Sequence, residues 1–311
     1  MRVRGVGGRG YPVAVSDRAG PRERLGRAAP KPVRDAVRTA GRVVGRVTAG
    51  SRTLPTFLLI GAQRGGTTTL YHYLLQHPQV LGAADKEVHF FDLRYAEGLD
   101  RYRAAFPTQS SARRVQRAYG AAAIGEATPY YLFHPAVPAR VAADLPDVRL
   151  IAVLRDPVAR AWSHYQHEVE LGWEELSFEE ALEREPTRTE GEAERVMADP
   201  LVTSFEHQHH TYVARGRYVE QLERWWAALP PERLLLVRSE DLHRDPAPTF
   251  DAICRHLGIE RWQPDAWRAY NASKPAGVLP ETAARLRETF APWNRRLAEA
   301  TGRDWDWDAG P

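Results

Sequence analysis

Three short stretches hold the residues whose types and spacing could do chemistry. The first is GAQRGGTTT, Gly61 to Thr69. It has the outline of a phosphate-binding loop, G-x-x-x-x-G-K-[ST], with Gly61 and Gly66 at the two glycine positions. Thr67 stands where the lysine belongs, and a cation, Arg64, sits two places before the second glycine instead. Gly65 and Gly66 let backbone N–H groups approach an anion, and a helix starting near Thr67 adds partial positive charge. Thr67, Thr68 and Thr69 offer hydroxyl donors. The second stretch is LRDPVARAWSHY. Asp156 can cap a helix that Pro157 opens, which leaves Arg155 at a strand end and Ser163 nearly two turns into the helix. A guanidinium and a hydroxyl so placed can clasp a phosphate from two sides. The third is KEVHFFD, where Glu87 and His89 alternate as on an extended strand and face one side. The plainer reading there is a solvent-exposed strand edge with Lys86 pairing Glu87.

The elements that must position these groups are legible as short apolar runs alternating with helical patterns. TFLLIG, AAAIGE, VRLIAVLR and RLLLVRSE read as buried strands, and helices read at 67–77, 135–144, 157–171, 217–228, 247–257 and 281–300. Strands alternating with helices predict an α/β, P-loop-like domain with a central, mostly parallel sheet flanked by helices. Arg64 and Arg155 then both stand at carboxyl ends of parallel strands, where ligands bind in such sheets. The expected organisation is a basic, disordered tail over 1–50 and one domain over 53–308. The Glu-rich stretch 168–199 reads as a charged insertion or lid.

Charge and cysteine usage narrow the classes. Residues 1–50 carry twelve Lys or Arg against three acids, so a chain of net charge +3 leaves −6 for the rest. A Gly/Pro/Ala/Arg tail of this kind cannot bury a core. Within it, Val33, Val37, Val44 and Val47 could line one side of a basic helix making weak membrane-surface contact. The domain's own negative balance argues against a broad nucleic-acid face. The lone cysteine, Cys254, excludes an intrachain disulfide and reads as a core residue. No apolar run approaches the eighteen or so residues of a membrane span, and the N-terminus lacks a secretory apolar segment. A cytoplasmic location is the expectation.

Two alternatives follow from the residues. One is a Mg/ATP-dependent small-molecule kinase with Asp156 as the acid on the metal, although Arg155 intervenes at the strand end. The other is a non-enzymatic protein binding polyanions or membrane surfaces through its basic tail. EHQHH, Glu206 to His210, lacks metal-ligand spacing and reads as a polar loop lining a cleft. Leu222, Trp225, Trp226 and Leu229 recur at helical spacing and read as core.

Taken together, GAQRGGTTTLYHYLLQHP, KEVHFFD, GEATPYY, LRDPVARAWSHYQH and the terminal DWDW resemble sulfotransferases that use 3′-phosphoadenosine-5′-phosphosulfate (PAPS). The style is that of the heparan sulfate N- and 3-O-sulfotransferases and their bacterial relatives, and the similarity runs from about Phe57 to Trp307. The resemblance implies that Arg64, Gly65, Gly66, Thr67, Thr68 and Thr69 hold the 5′-phosphosulfate. It gives the 3′-phosphate to Arg155 and Ser163, makes Glu87 the general base, and places His89 and Asp92 near the acceptor. It implies no metal. The chain departs from that pattern in three places. Arg64 replaces a lysine, Ala127 replaces another, and SKPAG replaces S-K-G-R. Ser273 and Lys274 remain to grip the 3′-phosphate, with Arg261 or Arg268 as substitutes for the lost arginine. The acceptor expected is a hydroxyl or amine of a carbohydrate, glycolipid or small molecule. The acidity of 168–199 favours a neutral or cationic one.

Overall fold

In the computed structural model, residues 44–268 and 277–307 are described. Five parallel strands form one sheet in the order β2-β3-β1-β4-β5: β1 (Phe57–Gly61), β2 (Val80–Gly82), β3 (Ala123–Ala127), β4 (Arg149–Leu154) and β5 (Leu234–Arg238). β1 lies at the centre, and the chain builds β3 and β2 on one side of it, β4 and β5 on the other. The order therefore switches direction at β1, which opens a crevice at its carboxyl end. The four strands read from the sequence are present. β2 is an addition, three residues long and only half-buried beyond Val80.

Both faces of the sheet are covered, so β1 is apolar throughout rather than alternating. Leu58 and Ile60 pack on one side with Leu150, Ala152, Tyr218 and Trp225. Phe57 and Leu59 pack on the other with Leu70, Leu74, Ile151, Val153, Phe250 and the buried Cys254. Each such side chain, fully buried, contributes roughly 1.5–3 kcal/mol.

Helices α1 (Thr67–Gln76), α2 (Leu99–Arg103), α3 (Gln109–Tyr119) and α4 (Val137–Asp144) precede β4. Between β4 and β5 lie α5 (Pro157–Glu170), α6 (Phe178–Thr189), α7 (Glu192–Ala198), α8 (Phe205–His209) and α9 (Tyr218–Ala228). After β5 come α10 (Ser239–Arg244), α11 (Pro246–Leu257) and α12 (Pro280–Thr301). Two local signals fix the helices that matter most. Gly66, at φ 101°, is the residue from which α1 starts, a conformation that glycine alone takes without strain. Asp156 accepts a hydrogen bond from Val158 N at 3.0 Å and Pro157 opens α5.

The expected tail and the C-terminal phosphate grip fall mostly outside the described residues. That holds for residues 1–43, Ser273 and Lys274. Residues 44–50 are described: Ala49 is buried, while Val44 and Val47 are exposed.

Candidate active site

A cleft of about 860 Å³ lies across the carboxyl ends of β1, β4 and β5. Its floor is the loop after β1. Ala62 N donates to Val153 O at 2.8 Å, tying that loop to the end of β4. Gly65 is required by this packing, because a Cβ there would overlap the Val153 carbonyl oxygen. The expected reason, close approach to an anion, is thus joined by a steric one. Arg64, Gly66, Thr67 and Thr68 line the cleft, as does Arg155 at the end of β4. Thr69 and Ser163 are buried behind this surface.

Arg64 bridges the two strand ends. Its φ of 66° turns the side chain toward α5, and its Nε donates to Ser163 Oγ at 2.9 Å. Arg155 Nη1 donates to the Arg64 carbonyl oxygen at 3.3 Å. The two cations expected at separate anion sites therefore share one wall. Burial lowers the Arg64 pKa below its usual value, with Glu170 pulling the other way and Arg155 adding repulsion. Among the described residues no carboxylate forms an ion pair with Arg64.

The opposite wall is KEVHFFD. It is not an extended strand, as the alternation suggested. Glu87 and His89 both have left-handed backbone, at φ 60° and 52°. Lys86 Nζ reaches back to the floor, donating to Thr68 Oγ1 at 2.9 Å and to Glu87 Oε1 at 2.6 Å. His89 Nδ1 bonds Asp92 Oδ2 at 2.7 Å, and its Nε2 lies 3.6 Å from Glu87 Oε2. Burial alone would raise the Glu87 pKa, but His89 and Lys86 outweigh it and hold the carboxyl at about 2. Burial alone would lower the His89 pKa, but its bonds to Asp92 and Glu87 carry it up to about 10. At neutral pH the wall is a carboxylate between two cations, with the buried Asp92 fixing the imidazole.

A family model for the sulfotransferase domain matches residues 54–268. The chain belongs to the sulfotransferase family. Heparan sulfate glucosamine 3-O-sulfotransferase 3B1 of Mus musculus is 31% identical over 284 residues, covering 84% of this chain and 66% of that protein. Membrane-associated sulfotransferase kil1 of Dictyostelium discoideum is 25% identical, with 82% of this chain and 66% of that protein covered. A sulfotransferase from Alicyclobacillus acidocaldarius has the same fold at a TM-score of 0.60 and 30% identity, covering 81% of this chain and 97% of that one. The chain spans about two thirds of the length of these curated relatives.

Three features of this candidate site escaped sequence reasoning. The first is Glu126, fully buried at the end of β3. Its Oε1 accepts from Tyr102 Oη at 2.8 Å and Tyr131 Oη at 3.0 Å; its Oε2 accepts from Thr128 Oγ1 at 2.5 Å and Val88 N at 3.3 Å. Phe90 N donates to Tyr131 Oη at 2.9 Å. One carboxylate and its hydroxyl partners thus hold the backbone of the Glu87–His89 loop. Burial raises the Glu126 pKa against the pull of Thr128, Tyr102 and Tyr131.

The second concerns the Glu-rich insertion, which is less of an acidic surface than its composition suggests. Glu168, Glu174 and Glu185 are buried. Glu174 pairs with Arg188 and accepts from Tyr212 Oη at 2.9 Å; Glu185 accepts from Val213 N at 2.6 Å and Ala214 N at 2.8 Å. Glu168 receives His209 Nδ1 at 3.1 Å, with His164 Nε2 3.0 Å from its other oxygen. The charge argument for a neutral acceptor therefore loses part of its ground.

The third is that EHQHH is a short helix, not a loop. Gln208 and His209 line the cleft, as expected for this motif, while His207 is buried with its Nδ1 hydrogen-bonded to Tyr130 Oη at 2.6 Å. Trp225 is core, as its spacing indicated. Of the substitute arginines, Arg261 pairs with Asp251, and the Arg268 carbonyl accepts from Tyr73 Oη at 2.8 Å.

Proposed function

We propose that the chain moves a sulfuryl group from PAPS to a hydroxyl or amine of a carbohydrate, glycolipid or small-molecule acceptor. The observation that carries this reading is the Arg64–Ser163 bond. It ties the loop after β1 to α5, so that both strand-end cations and Glu87 open onto one cleft. The donor suits these residues, because a half-buried guanidinium with no ion-pair partner among the described residues is best satisfied by an anion. The first N–H groups of α1, with Thr67, Thr68 and Arg64, would hold the 5′-phosphosulfate. Arg155 and Ser163 would hold the 3′-phosphate, with Ser273 and Lys274 as further partners.

The donor supplies an activated sulfuryl group on a phosphate leaving group. What is left to the protein is position and charge. Arg64 cannot give up a proton, so it acts by charge alone. Lys86, bonded to Thr68, adds a second cation at the mouth of α1. Glu87 takes the acceptor's proton. It is ionised but weakly basic while Lys86 and His89 both neutralise it. An acceptor hydroxyl that displaces one of them raises its basicity toward the useful range. The kinase alternative has less support, since an Asp156 oxygen is committed to capping α5.

Calorimetry with 3′-phosphoadenosine 5′-phosphate (PAP) and with ADP, without Mg²⁺, tests the reading in the wild type and in Arg155→Ala. Tight PAP binding, weak ADP binding, and loss of that difference in the variant are expected. Equal binding of the two, or binding of ADP only with Mg²⁺, would refute it.

A further inference from the structure

Among the described residues, ten large apolar side chains are exposed, and six of them fall between residues 169 and 205: Val169, Leu171, Trp173, Met197, Leu201 and Phe205. That is a concentration within one segment of the chain, and three of the six, Leu171, Trp173 and Phe205, are brought together at the cleft. Trp173 and Phe205, 42% and 49% exposed, are in contact, with ring centroids 5.8 Å apart. The His209 ring lies 4.3 Å from Trp173 and 4.6 Å from Phe205. Leu171, Trp173 and His209 also line the cleft that contains Glu87. The apolar shelf is thus continuous with the reactive cleft.

The shelf stands on fixed backbone. Trp173 N donates to Glu168 O at 2.9 Å, and the Trp173 carbonyl accepts from His210 Nε2 at 2.9 Å. Its neighbour Glu174 is anchored inside by Arg188 and Tyr212. The residue after the indole is therefore committed to the interior, while the indole itself and Leu171 before it face out. A side chain presented this way, next to a cleft, suits an apolar ligand surface.

The cations on the acceptor side are already engaged. Lys86 is bonded to Glu87, and His89 lies between Glu87 and Asp92. Arg215 is buried, donates to Gln63 Oε1, Thr211 Oγ1 and the Gln208 carbonyl, and lies over the Tyr130 and Phe133 rings. Each already has its partners, so a sulfated or carboxylated acceptor would have to compete for them.

We propose that Leu171, Trp173 and Phe205 form a second acceptor subsite for the apolar portion of an uncharged amphiphile. Its hydroxyl- or amine-bearing head enters toward Glu87, and its aliphatic or aromatic portion lies on the shelf. This rests on the sulfotransferase reading for the head group, and it adds the class of molecule attached to it.

The test compares binding of n-octyl β-D-glucoside, below its micelle concentration, with methyl β-D-glucoside, using the full chain with and without PAP. The octyl compound should bind at least tenfold more tightly. Trp173→Ala and Phe205→Ala should each reduce that preference severalfold and together abolish it, with PAP affinity serving as the check on folding. Equal binding of the two glucosides, or an octyl preference that survives both substitutions, would overturn the proposal. So would a shelf that instead drives dimerisation or binds phosphatidylcholine vesicles, with no octyl preference in the monomer. Failure of the sulfotransferase reading appears separately, as absent PAP binding.

Discussion

Replacing Glu126 with glutamine should loosen the Glu87–His89 loop and leave the Gly61–Thr69 loop intact. Glu126 accepts four hydrogen bonds, and its two oxygens serve donors on opposite sides. Val88 N can only donate, to Oε2, while Tyr131 Oη gives its proton to Oε1 and accepts from Phe90 N. A glutamine has one oxygen for these two sides, so either orientation leaves one of the two donors facing its NH2. An orphaned buried donor costs about 1–3 kcal/mol. The loop is vulnerable to a loss of that size, because Glu87 and His89 hold left-handed backbone at roughly 1–2 kcal/mol each. A shift of 1–3 kcal/mol corresponds to roughly 5–150-fold in the opening equilibrium. Hydrogen exchange read by mass spectrometry should accelerate by about that factor over residues 86–92 and stay unchanged over 62–70. PAP affinity should remain within twofold, and turnover should fall with the loop. Unchanged exchange at 86–92 would refute the reasoning, as would a uniform rise across the chain. Tyr102→Phe is the control, since it removes one hydroxyl partner of the same carboxylate and keeps the ring that stacks on Phe90.

Two further outcomes follow from the geometry. The Glu87 pKa is depressed to about 2 from 4.5, so its stabilisation is complete above about pH 4.5 and lost as pH falls through 2. The His89 pKa is raised to about 10 from 6.5, so its stabilisation is complete below about pH 6.5 and lost as pH rises through 10. Urea midpoints of wild type and His89→Asn should therefore differ most between pH 4.5 and 6.5 and converge by pH 10, and a pH-independent difference would contradict this ion-pair network. Gly65→Ala should destabilise the chain by about 1–3 kcal/mol, because its Cβ meets backbone that cannot give way. A thermal midpoint equal to wild type would mean that the floor loop is not packed on β4 as described.

What the sequence disclosed and what it withheld divide along the range of the forces involved. The loop at Gly61–Thr69 and the start of α5 were legible because strand, glycine, cap and proline act within a few residues. The buried strands were legible because both faces are covered and the runs are uniformly apolar. β2 was not, since three residues, one buried and two half-buried, carry no period. The conformation of Glu87 and His89 was withheld because Glu126, Thr128 and Tyr131, some forty residues on, dictate it. The same holds for Glu168, Glu174 and Glu185, whose partners come from α5, α6 and the segment around Tyr212. Composition counted these as surface charge, and only tertiary contact reveals them as internal acceptors.

The placement of Arg64 and Arg155 has a consequence for how such a protein can change. Both follow neighbouring strands, whose spacing of about 4.8 Å is set by backbone hydrogen bonds and not by side chains. In the proposed donor site, the gauge for the two ends of the nucleotide would thus be built into the lattice of the sheet, where mutation can hardly alter it. The segment from Leu171 to His209, which lines part of the cleft, lies between β4 and β5 as one continuous insertion. On the proposed reading, an exchange of that insertion would refit the molecule to a new acceptor with the donor gauge untouched. In engineering terms, the chain is a fixed chuck with an interchangeable jaw.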